Sequence, residues 1–200
     1  MMRSLLNIRI LGLLAAALIL SVAQANASVI FTLQLVGTDT VMTGSGTLDL
    51  TGLTPGLQIS VGPQLSAATF FVIGAPGQTF KVEEGPVTGP TNIGPGDFHD
   101  QHADFGTGDL FGMGYGAVPQ SIPVPLAYVS GQALSGSATW VHRNLFGGIV
   151  TPGTYAWTLG NGDTITLNAI DPNPPAVPEP TTFALVATGA LGLISRRRRT

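Results

Sequence analysis

The stretch SVIFTLQLV at residues 28–36 alternates, putting Val29, Phe31, Leu33 and Leu35 on one side of an extended chain. That period of two is the signature of a half-buried β-strand, and it recurs through the central part of the sequence. No segment there carries an apolar stripe at helical spacing with caps. TVMTGSGTLDL at 40–50 alternates less cleanly, and Gly44 and Gly46 suggest a bulge or bend. TGLTPG at 51–56 reads as a turn. SAATFFVIGA at 66–75 reads as one buried strand, and QTFKVEE at 78–84 as its partner across Ala75-Pro76-Gly77. Residues 85–108 are rich in Gly, Pro, Asn and Asp and read as a long surface loop. Strands are expected again at 109–116 and 125–130 on either side of the Pro-rich VPQSIPVP, and at 133–142. TYAWTLGNGDTITLNAI at 154–170 carries the strongest hairpin signal, two β-rich runs around Gly160-Asn161-Gly162-Asp163. Many short strands with Gly- and Pro-rich turns predict an all-β fold, an antiparallel β-sandwich.

The sequence has no cysteine, which excludes a disulfide framework, thiolate metal sites and thiol nucleophiles. A body of about 150 residues can bury a core without such cross-links. The formal charge of -3 conceals an asymmetry. Arg3, Arg9 and Arg196–Arg199 lie at the two ends, leaving Lys81 and Arg143 as the only basic residues of the body, against ten acidic residues between Asp39 and Asp171. A net charge of -8 over residues 28–171 argues against nucleic acid and anionic membrane surfaces as partners.

The two ends carry targeting features. Arg3 and Arg9 precede an apolar run from Ile10 to Val22, followed by Ala23-Gln24-Ala25 and Ala25-Asn26-Ala27. This is the pattern of a secretory signal peptide, with cleavage favoured after Ala27 and Ala25 as the alternative. At the other end, DPNPPAVPEP at 171–180 has five prolines in ten residues and reads as a stiff polyproline II spacer. The apolar run Phe183–Ile194 follows, then Arg196, Arg197, Arg198 and Arg199. As a helix, 12 residues rise about 18 Å, short of a hydrocarbon core of about 30 Å. A marginal span with arginines behind it is expected to stop in the membrane with those arginines in the cytoplasm and the body outside.

Val177-Pro178-Glu179-Pro180, the short apolar helix and the arginine cluster, in that order, resemble the PEP-CTERM sorting signal of Gram-negative bacteria. The resemblance implies recognition and cleavage by exosortase near the Val177–Pro180 motif, export by the Sec machinery, transient anchoring in the inner membrane, and delivery to the surface or matrix of a bacterium that makes exopolysaccharide. SGSATW at 135–140 and the hairpin at 151–167 are also similar to bodies found in front of such signals, which bring no known activity. The expected organisation is a signal peptide at 1–27, a β-sandwich body at 28–170, a linker at 171–177 and a sorting signal with a short transmembrane helix at 178–200.

Chemistry in the body is sparse. DFHDQHAD at 97–104 gathers Asp97, His99, Asp100, His102 and Asp104, donors that suit a divalent ion wrapped by a loop. The spacing matches no established metal motif, and a solvated acidic loop is the simpler reading. There is no G-x-S-x-G elbow for a serine nucleophile, and Gly112, Gly114 and Gly116 have no helix behind them to bind phosphate. No catalytic residue and no cofactor are implied. The aromatic residues Phe70, Phe71, Trp140, Tyr155 and Trp157 are either core or a platform for sugars, and their exposure decides between the two. The expectation is a non-enzymatic surface protein with a structural or adhesive body, or else an exopolysaccharide-binding module.

Overall fold

A computed structural model describes residues 27–96, 99–116 and 119–171. The chain divides after Ile170 into two units, and of the second, Asp171–Thr200, only Asp171 is described. The described residues hold fourteen strands: β1 (Ser28–Val36), β2 (Asp39–Thr47), β3 (Thr54–Ser60), β4 (Gln64–Ser66), β5 (Phe70–Ile73), β6 (Thr79–Glu84), β7 (Val87–Thr88), β8 (Gln101–His102), β9 (Phe105–Gly108), β10 (Phe111–Gly114), β11 (Ser121–Pro125), β12 (Ala133–Trp140), β13 (Gly153–Leu159) and β14 (Thr164–Ile170). They form two seven-stranded sheets, ordered β7-β13-β14-β1-β2-β12-β9 and β3-β6-β11-β10-β5-β4-β8. The fold is all-β, with two antiparallel-dominated sheets, as the alternation predicts. One pair departs from that pattern: β1 and β14 run parallel, from Ser28↔Thr164 to Gln34↔Ile170. Nearly the whole body connects these two strands, so no tight turn forces them antiparallel.

The inward residues of both sheets make one core. Val29, Phe31 and Leu33 of β1 and Ile165 and Leu167 of β14 are fully buried beneath Phe71, Ile73, Phe111 and Met113 of the second sheet. Phe31 meets Phe71 edge-on with ring centroids 4.8 Å apart, and Phe111 at 5.1 Å. A row of glycines runs across the first sheet beside this contact. Phe31 pairs with Gly44, Gly44 with Gly136, and Gly136 with Gly108. A Cβ on Gly44 would lie 2.5 Å from the Phe31 ring and 2.9 Å from Ile73, and one on Gly136 would lie 2.6 Å from the Asp109 carbonyl oxygen. The register of β1 and β2 is continuous through Gly44 and Gly46, so these are packing glycines rather than a bulge.

Several local expectations are corrected. Of the strand expected at 66–75, Phe70–Ile73 form β5, while Ser66 ends β4 (Gln64–Ser66), which turns at 67–69 and pairs antiparallel with β5. β5 and β6 are not partners across Ala75-Pro76-Gly77, because β10 and β11 stand between them. The Gly74 and Ala75 amides donate to the carbonyls of Ser137 and Gly108 in the first sheet, which draws the chain away from a hairpin. The loop expected at 85–108 contributes three short strands at or near sheet edges, β7, β8 and β9. The strand expected at 125–130 lies earlier, as β11, inside the Pro-rich stretch. Pro123 and Pro125 point their missing N–H groups to the same side, so β11 can bond fully with only one neighbour. It pairs with β6 over five residues and with β10 only at Gly114↔Ser121.

The second sheet is strongly curled. β3 is its first strand and β4 its sixth, yet Val61, Gly62 and Pro63 alone connect them. Four Cα steps reach at most about 14 Å, whereas five spacings in a flat sheet span about 24 Å. The sheet therefore rolls until β3 approaches β4, and its face away from the main core is concave.

Gly44→Val is expected to destabilise the body by about 3 kcal/mol, because the backbone of β2 cannot retreat from Phe31. Gly62→Ala, with open space around its Cβ, is expected to be neutral. Urea unfolding midpoints for the two variants check this, and equal midpoints would contradict the packing role of Gly44.

Candidate functional site

The residues with the most specific functional pattern, Val177, Pro178, Glu179, Pro180 and Arg196–Arg199, lie outside the described residues, as do Ala25 and the apolar run Phe183–Ile194. Among the described residues no helix is long and apolar enough to cross a membrane. What the structure describes is the body that precedes this tail and the way its strands and loops are closed.

The body begins at a carboxylate. Asp163 closes the β13–β14 turn and is 4% exposed. Its Oδ1 accepts the Ala27 N–H at 2.9 Å and its Oδ2 the Asp49 N–H at 2.7 Å. Asn161 of the same turn donates to the Asp49 carbonyl at 2.7 Å. The Ala27 carbonyl accepts from Thr164 N–H. One turn thus ties down the head of β1 and the exit of β2. Sequence reasoning recognised this turn by its composition but assigned Asp163 no role; the signal was an acid placed just after Asn-Gly.

The segment 85–104 is held by aromatic side chains. The Trp157 indole donates to the Pro90 carbonyl and the Trp140 indole to that of Gln101, both at 2.8 Å. The Tyr155 hydroxyl lies 2.8 Å from the Ile93 carbonyl and 2.7 Å from that of Thr151. Trp140, Trp157 and Phe71 are fully buried, and Phe70 and Tyr155 are partly buried. These rings fasten loops and fill the core. Among the described phenylalanines and tryptophans only Phe105 is exposed.

Of the possible metal donors, Asp97 lies outside the described residues. His99 and Asp100 are exposed ahead of β8, and His102 sits within β8. Asp104 accepts the Val141 N–H at 2.9 Å and lies 3.6 Å from the Arg143 guanidinium. Arg143 also donates to the His102 carbonyl. Among the described residues no three His, Cys, Asp or Glu side chains are grouped to hold a metal ion. The third histidine, His142, is on the turn after β12, its Nδ1 3.0 Å from Thr38 Oγ1. The two basic residues of the body are both engaged, Arg143 here and Lys81 with Glu83 at 3.0 Å.

The fold and these contacts define an all-β body of two packed sheets, closed by buried side chains and followed after Ile170 by a separate unit. Residues 176–199 match the PEP-CTERM protein-sorting motif, which fits a PEP-CTERM domain-containing protein. The motif supports exosortase-targeted sorting of a secreted protein, with transient anchoring in the membrane. Comparison with curated proteins and with solved structures gives no match.

All three tyrosines of the chain are affected by burial. Burial raises the ionisation of the Tyr115, Tyr128 and Tyr155 hydroxyls above the ordinary phenol range, most strongly for Tyr115. Each is hydrogen-bonded to backbone: Tyr115 to Ser66, Tyr128 to Leu48, and Tyr155 as above. A pKa raised in the folded state contributes stability that is complete below the unfolded value of about 10 and is lost as pH rises through the folded value. The expected result is a folded protein with no phenolate absorbance step near pH 10, and with tyrosines that ionise later, as alkali unfolds it. Absorbance at 295 nm followed alongside circular dichroism checks this; a one-tyrosine step at pH 10 in folded protein would contradict it.

Proposed function

We propose that this protein is a structural or adhesive, non-catalytic component of the bacterial cell surface or extracellular matrix. Exosortase cleaves it near Val177–Pro180 after its body has crossed the inner membrane through the Sec machinery. The observation that carries this reading is the sorting motif at 176–199. In the proposed geometry Val177-Pro178-Glu179-Pro180 stands at the outer membrane–water boundary and Arg196–Arg199 remain in the cytoplasm, consistent with the preference of arginine for that side. An acidic, cysteine-free body suits a protein released into solution or a hydrated matrix. Exopolysaccharide binding is the alternative, and it would have to use groups other than Trp140, Trp157 and Phe71, which are buried.

Cleavage of the signal peptide after Ala25 is better supported by the body than cleavage after Ala27. Removing Ala27 would strip Asp163 Oδ1 of one backbone donor and leave the Thr164 amide without its acceptor.

Intact-mass analysis of protein from the native host, with and without exosortase, tests both ends. The expected product begins at Asn26 and, only when the enzyme is present, ends near Val177–Pro180. A mass that always includes Arg196–Arg199 would overturn the processing, and a chain beginning at Ser28 would overturn the assignment of the amino terminus.

A further inference from the structure

The concave face of the curled second sheet holds its own apolar cluster, separate from the main core. Val72, Phe80, Val82 and Leu110 are buried there, with Val61 and Phe70 packed against them. The cluster does not fill the curl. A cavity of about 360 Å³ remains between β3 and β4 and over β6, β11 and β10, within the size range of small-molecule sites. Phe70, Phe80 and Val82 form its walls. Leu57 and Ile59 stand at its mouth, 72% and 37% exposed. Gly114 and Ser121 lie side by side in its lining, where a Cβ on Gly114 would come within 2.4 Å of Ser121 Oγ.

The polar groups of this cavity have an uneven character. Gln64 is 4% exposed, and its side-chain oxygen has no hydrogen-bond partner. Thr69 Oγ1, in the same lining, is likewise buried and unpaired. Buried polar atoms are nearly always paired, and the terminal torsion of a glutamine is soft enough to turn its amide toward an occupant. Ser121 and Glu84 complete the polar lining, which contains no lysine or arginine. An amide oxygen and a carboxylate can only accept, and hydroxyls can do either. The two unpaired atoms are an amide oxygen and a hydroxyl, and Glu84 is the only charged group of the lining, so it complements a ligand with an apolar body and a head that donates hydrogen bonds, while the Glu84 carboxylate opposes an anionic head.

We propose that this cavity binds a small amphiphile with an ammonium or hydroxyl head. The apolar part lies against Phe70, Phe80 and Val82, and the head donates to Gln64 and Thr69. The test is a titration of the ¹⁵N-labelled exported protein with octylamine, octan-1-ol and octanoate below their aggregation limits. The amide resonances of Thr69, Phe70, Gly114 and Ser121 are followed. Octylamine and octan-1-ol are expected to give saturable shifts there, with octanoate at least tenfold weaker. Gln64→Leu is expected to weaken octylamine about tenfold, the scale of one hydrogen bond. Leu57→Ser, at an exposed position that leaves the fold intact, is expected to weaken both octylamine and octan-1-ol. Absence of saturable shifts in the unaltered protein, equal binding of octanoate, or undiminished octylamine affinity in both variants would overturn the proposal.

Discussion

The closeness of the two sheets at Phe31 is the constraint on which the rest of the body depends. Phe31 rises from β1 into a space that its neighbours on β2 and β12 leave empty, because Gly44 and Gly136 have no side chains to fill it. Phe71 and Phe111 descend from the other sheet into the same space. From there the aromatic contacts continue through Tyr115 to Trp157, whose rings stack at 5.5 Å. A bulky residue at Gly44 or Gly136 would press against Phe31 and Ile73 or against Asp109 and Phe111 and hold the sheets apart there. Each glycine weakens its own strand through backbone entropy, and the aromatic contacts that it permits offset that loss.

Polar side chains then fix what the core cannot reach. Asp163 gathers the head of β1 and the exit of β2 onto one turn. Trp140, Trp157 and Tyr155 have their rings in or against the core, while their polar atoms hold carbonyl groups of the 85–104 segment. These connections explain how a chain without a disulfide keeps a long Gly- and Pro-rich stretch in place. They also explain why Trp140 and Trp157 offer no face to a sugar: both are buried and their indoles are already bonded inside the protein.

Much of the strand pattern was legible locally. β1 and the β13–β14 hairpin follow from alternation and from Asn-Gly, since side-chain parity and turn chemistry are properties of neighbouring residues. The separation of β5 from β6 was not legible, because Ala75-Pro76-Gly77 has ordinary turn composition and its fate depends on carbonyls of Ser137 and Gly108. β11 was obscured by its prolines, whose acceptability rests on β10 diverging from that side. The roles of Gln64 and Asp163 were equally hidden, since a lone amide or carboxylate gains meaning only from what is packed around it.

By itself the sequence determined the class of strand-rich body, the absence of thiol chemistry, the acidic balance and the sorting motif at 176–199. Each of these is a composition, a local period or a contiguous run of residues, readable without a partner. Only the tertiary structure decided which strands became neighbours, that β1 and β14 run parallel, that the tryptophans are inside, and that the second sheet curls around a cavity. Those outcomes rest on hydrogen bonds and contacts between residues far apart in the chain, and no local pattern records which distant carbonyl an amide will meet.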